Sequence, residues 1–228
     1  MDLIPSGDIN GSMMTADELR HVLGPIGIWM SPPTRTGIDP EKYGLQIEAA
    51  GFTSVWFGGM NSAADLAAVE PALSSTERLV LGTGIASVWT WAPSELAAEA
   101  DRLAATYPGR FILGLGVSHA PLVESTGQDY VKPYTKMVQF LNELPPVEAP
   151  VVLAALGPKM LELSANRTAG AHPYFVPPEH TAFARSVLGR NRCSSPSSPL
   201  RSRRGPRVPP RPATTPSATC GGPTTPTT

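Results

Sequence analysis

Both cysteines of this 228-residue chain, Cys193 and Cys220, lie in its last 38 residues, so the first 190 have none. No disulfide framework is implied, and a body without thiols suits a reducing compartment. No apolar run approaches the ~20 residues needed to span a bilayer. The N-terminus, with Asp2 and Asp8, lacks the basic and apolar regions of a secretory signal. We therefore expect a soluble, cytoplasmic protein with no membrane partner. Metal-spaced groups of His, Cys, Asp or Glu, a G-x-S-x-G elbow and a Walker phosphate loop are also missing. No metal site is expected, and any catalysis would have to lean on an organic cofactor.

The last 38 residues also lack acid. They hold six Arg and no Asp, Glu or Lys, whereas residues 1–190 hold all 19 acidic residues against twelve basic ones. The formal charges are thus −7 for the body and +6 for the tail, and the net −1 is the sum of two unlike pieces.

What the body does have is alternation. Short apolar runs at 26–30 (IGIWM), 54–58 (SVWFG), 79–85 (LVLGTGI), 111–117 (FILGLGV), 151–156 (VVLAAL) and 171–176 (AHPYFV) alternate with helical patterns. Those patterns fall at 40–50, 63–73, 93–107, 134–144, 158–166 and 177–188. Asp39 before Pro40, and Pro93, Pro158 and Pro178 at first turns, are start signals. Continuous apolar strands between helices predict a parallel sheet covered on both faces. Six βα units fit either a doubly wound sheet or a (β/α)8 barrel, and pattern alone does not separate them. In both, ligands bind at the C-terminal ends of the strands.

Those ends are rich in glycine: Gly58-Gly59, Gly82-Thr83-Gly84, Gly114 and Gly116, and Gly157. Removing side chains from one rim predicts room for a flat ligand, with Ser118 and His119 at its mouth. Trp29, Trp56, Phe57 and Phe111 read as core. GLGVSH is not a dinucleotide fingerprint, because its third glycine would fall at His119. Gly157-Pro158-Lys159 opens a helix whose free N–H groups suit a phosphate or carboxylate, though an ordinary helix start reads equally well.

The segments ERLVLGTGIASVW, YPGRFILGLGVSHAPLVE, VLAALGPKMLEL and AGAHPYFVPPEHT, in this order, resemble the bacterial luciferase-like monooxygenase superfamily. The likeness is to its coenzyme F420-dependent oxidoreductases of the actinobacterial type, over residues 24–189. It implies a (β/α)8 TIM barrel that moves a hydride between the deazaflavin and a small organic substrate, with FMN monooxygenase chemistry as the alternative. It implies a non-prolyl cis peptide at Gly84-Ile85 under the cofactor ring, and Gly116, Val117 and Ser118 beside it. Gly157, Pro158 and His172 complete the implied cofactor set. His119 takes the place of an acidic residue that handles a proton in relatives, which makes it the candidate acid/base, with His172 second. Where those relatives end strand two on an acid or histidine, this chain has Trp56-Phe57-Gly58-Gly59. A homodimer is possible.

A full barrel has eight strands, and the body supplies six. We read 1–23 as an N-terminal extension, 24–190 as a partial, incomplete barrel and 191–228 as a Pro/Arg/Ser/Thr-rich disordered tail. A basic arm of this kind can touch nucleic acid, but a shifted reading frame accounts for it better. Codons for 191–199 can be chosen so that the neighbouring frame reads EPLLIAELA, and those for 223–228 so that it reads NYANN, near the family's usual ending. The expectations are a frameshift near 189–190, weakened cofactor binding, unpaired edges on strands one and six, and no nucleic-acid partner. An inactive fragment and a tail-driven nucleic-acid binder stay open as alternatives.

Overall fold

The computed structural model describes residues 14–194. Eight strands form one sheet: β1 (Ile28–Met30), β2 (Ser54–Phe57), β3 (Val80–Thr83), β4 (Ala86–Ser87), β5 (Phe111–Gly116), β6 (Val151–Leu153), β7 (Gly170–Ala171) and β8 (Cys193–Ser194). Every pairing is parallel, and the order is β1-β2-β3-β5-β6-β7-β8, with β4 against β5. Strand order follows chain order without the reversal of a doubly wound sheet, so right-handed crossovers place the helices on one side and curl the other into an interior. The fold is therefore an incomplete TIM barrel.

Side-chain alternation separates two cores. Val55, Phe57, Leu81, Leu113, Leu115, Val151 and Leu153 face the helices in the larger cluster. Trp56, Val80, Ile112, Val152 and Cys193 face inward, where Leu19 and Leu23 of the helix Ala16–Leu23 close the N-terminal end. That helix starts on a capping box formed by Thr15 and Glu18. It lies inside the segment read as an extension, and Thr15-Ala16-Asp17-Glu18 is the signal that marks it.

The helices follow their start signals. Asp39 accepts from the backbone N–H groups of Glu41 and Lys42 at the head of Pro40–Ala49, and Pro93–Thr106, Pro158–Arg167 and Pro178–Leu188 all begin on proline. The predicted helix 63–73 is two, Ala63–Val69 and Pro71–Ser74, because Pro71 has no N–H to continue the ladder.

Three expectations need correction. The tail drawn from 191 takes in a strand, since Cys193 and Ser194 pair with Gly170 and Ala171. The sixth predicted strand shrinks to Gly170–Ala171, and its edge is covered by β8 rather than open. Gly170 permits that pairing, because a Cβ there would strike the Cys193 backbone. The outer edge of β1 has no strand partner among the described residues. The proposed frameshift and basic arm otherwise fall on 195–228, outside the described residues.

Candidate functional site

The strand that runs β3–β4 breaks at a cis peptide between Gly84 and Ile85. Gly82 pairs with Ile112 and Ala86 with Leu115, so four steps on one strand face three on the other, which is a bulge. Thr83 fills the interrupted ladder: its hydroxyl donates to the Gly114 carbonyl at 2.8 Å and accepts from the Gly114 N–H at 2.7 Å. The ledge is tied on three sides. Gly84 N–H donates to the Phe57 carbonyl (2.7 Å), Met60 N–H to the Ile85 carbonyl (3.1 Å) and Trp29 Nε1 to the Gly84 carbonyl (2.8 Å). With those polar groups committed, the ledge turns an apolar surface to the barrel mouth.

The glycines of the rim serve the chain's own aromatics first. A Cβ on Gly82 would strike the Trp56 ring and one on Gly58 the Trp29 ring, while Gly116 faces Ile85 and Ala154. The sequence expectation that this rim lies bare is thus corrected, because Trp29 and Trp56 occupy much of that space. Their partners lay on other strands, so sequence alone could not pair them.

A cavity of about 530 Å³ remains above these rings. Its wall includes Gly84, Ile85, Val117, Ser118, His119, Gly157 and His172, which the structure brings together from four strand ends. Gly116 and Pro158 are not on that wall: Gly116 is buried in β5 behind Ile85, and Pro158 is the exposed first residue of its helix. Trp29, Arg35, Tyr130 and Tyr174 line it without having been singled out as site residues. The Trp29 and Tyr174 rings meet at 5.1 Å.

Beyond β5 the chain turns sharply. Ser118 adopts a left-handed φ of 57°, unusual outside glycine and a mark of a functional turn. The turn is held by Trp89 Nε1 donating to the Val117 carbonyl (2.8 Å) and by the Tyr130 hydroxyl donating to the Ser118 carbonyl (3.4 Å). Burial pushes the Tyr130 phenol up, which keeps that donor protonated. His119 follows with an exposed side chain at the mouth.

His172 contrasts with it. It is 1% exposed and stacks on Trp56 at 4.0 Å, and neither ring nitrogen has a hydrogen-bond partner among the described residues. Burial pushes its pKa down to about 3, so at neutral pH it offers one N–H and one lone pair. An unsatisfied buried imidazole on a cavity wall fits a ligand with a polar edge. Among the described residues no three His, Cys, Asp or Glu side chains gather as a metal site would require.

In an α/β barrel, an apolar cavity at the strand C-termini with a few unpaired polar groups is where a ligand binds. The luciferase-like monooxygenase family model matches residues 41–144. Searched against curated proteins, the sequence finds no match. Solved structures share the fold. The F420-dependent tetrahydromethanopterin reductase of Methanopyrus kandleri is 19% identical with a TM-score of 0.59, over 75% of this chain and 64% of that one. An F420-dependent secondary alcohol dehydrogenase, in complex with an F420-acetone adduct, is 17% identical with a TM-score of 0.52, over 75% and 67%. The oxygenating constituent of 3,6-diketocamphane monooxygenase from Pseudomonas putida, in complex with FMN, is 12% identical with a TM-score of 0.56, over 72% and 60%. This chain thus spans less than two thirds of the reductase's length.

Proposed function

We propose that the chain is a flavin-type oxidoreductase that takes coenzyme F420 and acts on a small organic substrate in this cavity. The observation that carries the reading is the buried, unpaired His172 imidazole on the largely apolar cavity that the Gly84-Ile85 ledge also lines. These residues fit a planar ring: the ledge and Trp29 offer apolar contact, and His172 offers a donor and an acceptor to the ring's polar edge. When bound, the deazaflavin would supply the carbon that gives or takes a hydride. The protein's part is to orient both reactants and exclude water. His119, exposed at the mouth, would exchange a proton with the substrate. Gly157, whose Cβ position has nothing within 4 Å, leaves room for a phosphate-bearing tail at the helix start. FMN is the second reading, favoured by the FMN-bound fold relative.

The test is a fluorescence titration of the 228-residue protein with F420 and with FMN, beside a chain whose frame beyond Gly189 has been restored. Saturable F420 binding tighter than FMN binding, in either chain, is the expected result. Binding only by the restored chain would make the present one an incomplete enzyme. Binding of neither cofactor by either chain would sink the reading.

A further inference from the structure

Among the described residues that line the cavity, Arg35 alone bears a permanent charge, and no Asp, Glu or Lys joins it. It sits on the short helix Pro33–Thr36 after β1. Thr34, its neighbour, donates from its hydroxyl to Asp65 at 2.8 Å, which pins that helix beside the head of Ala63–Val69. The Asp65 carboxylate also accepts from the Asn61 N–H (3.1 Å) and the Ser62 hydroxyl (2.9 Å). An acid within reach of the helix is thus committed to other donors, and the Arg35 guanidinium makes no hydrogen bond or ion pair among the described residues.

Gly59 shows how the guanidinium is held. At φ 70° it presents its backbone to Arg35, and a Cβ there would stand 3.2, 3.2 and 3.3 Å from Cζ, Nη1 and Nη2. Three nearly equal distances mean that the guanidinium lies flat on the glycine. Its face is covered and its edge, which carries the N–H fork, is left free. A planar cation with an unspent fork at the rim of an apolar cavity is built for a two-oxygen anion.

We propose that Arg35 is the specificity-determining residue of this cavity, holding one oxyanion, a phosphate or a carboxylate, on the molecule whose apolar body lies against Trp29, Ile85 and Tyr174. The inference deepens the cofactor reading and rests on the same cavity. It leaves two sources for the anion, the cofactor's phosphate or the substrate's carboxylate.

Both sources are tested on the full chain and on Arg35→Gln and Arg35→Lys, by quenching of tryptophan fluorescence. One arm compares FMN with riboflavin, which has the same ring and no phosphate; the other compares benzoate with benzamide. Arg35 is exposed, and circular dichroism and melting temperature should be unchanged in both variants. A charge-assisted pair of this kind corresponds to about tenfold or more in affinity. If the cofactor's phosphate is the anion, the parent's preference for FMN over riboflavin should fall about tenfold in Arg35→Gln and less in Arg35→Lys. If a substrate carboxylate is the anion, the benzoate preference should fall instead. The proposal is overturned if neither ratio moves, or if no anionic probe binds the parent better than its neutral partner. If neither the parent nor the frame-restored chain binds F420 or FMN, yet the parent prefers benzoate through Arg35, the cofactor reading is refuted and this one stands.

Discussion

The two ends of the barrel interior are built by the same strands and solve opposite problems. At the N-terminal end, Leu19, Leu23, Val80, Ile112, Val152 and Cys193 pack against one another, and the hydroxyls of Thr53 and Ser54 donate to the Leu23 carbonyl at 2.7 and 2.9 Å. At the C-terminal end, among the described residues, the buried His172 has no hydrogen-bond partner, the Arg35 guanidinium is unpaired and the ledge is apolar. Satisfied polar groups and close packing serve stability, while unsatisfied ones around a cavity cost stability and leave room for chemistry. In parallel barrels the same division follows from the strand direction, because loops at the C-terminal ends are free to vary.

Trp56 is the divider between these ends. It is fully buried, lies over Gly82 and stacks on His172. Trp56→Ala would join the lower core to the cavity and should cost about 3–5 kcal/mol of unfolding free energy, as large-to-small core changes do. Urea denaturation measures it. A loss under about 1 kcal/mol would mean that the interior collapses without its divider, and that the two ends are not separately built.

How much of this was legible depended on whether a local pattern carried it. Pro93 and Pro158 announce their helices because proline suits a first turn, and Phe111–Gly116 announces itself as an unbroken apolar run. β8 did not, because two residues form no period; Cys193 and Ser194 become a strand only by pairing with Gly170 and Ala171. For the site, the rule that ligands sit at strand C-termini gathered Gly84, Ser118, His119 and Gly157 before any coordinates, and the family resemblance added Val117 and His172. The same rule overreached at Gly116 and Pro158, since it names strand ends but not which side of the backbone faces the cavity. It also could not show that Trp29 and Trp56 reach across from other strands into the glycine gaps, nor that Arg35 lies flat on Gly59. Those are contacts distant in sequence, and no motif encodes them.

The buried imidazole at the upper end gives the cavity a pH signature of its own. His172 has its pKa depressed by burial from an ordinary 6.5 to about 3. Between those values the unfolded chain binds a proton that the folded one does not, so stability rises with pH across this window. The contribution is whole above about pH 6.5 and is lost as pH falls toward 3. One proton corresponds to a slope of about 1.4 kcal/mol per pH unit. His172→Phe keeps an aromatic ring on Trp56 and removes the titration, so its stability should fall less steeply than the parent's between pH 6 and 4, with parallel curves above pH 7. Identical slopes in that acid range would place His172 in contact with water, contrary to its burial.

The smallest effect tests the seam between the helix at the closed end and β8. Arg20 Nη2 donates to the carbonyls of Arg190 (2.9 Å) and Arg192 (2.7 Å), and thereby ties Ala16–Leu23 to the chain entering β8. Next to it lies Cys193, 1% exposed, with its thiol pushed up to about 11 by burial, which leaves little reactive thiolate at neutral pH. Arg20→Ala removes two charge-assisted hydrogen bonds to backbone carbonyls and an exposed ion pair with Asp17, and should change global stability by no more than about 1 kcal/mol. The local effect should be larger. In a Cys220→Ser background, where Cys193 is the single thiol, disulfide-reagent labelling should speed up severalfold in Arg20→Ala, because β8 opens more often without the whole barrel unfolding. Labelling that tracks only global unfolding in both proteins would show that β8 is held by the Gly170 and Ala171 pairing alone, with the Arg20 tie contributing nothing to the closed end.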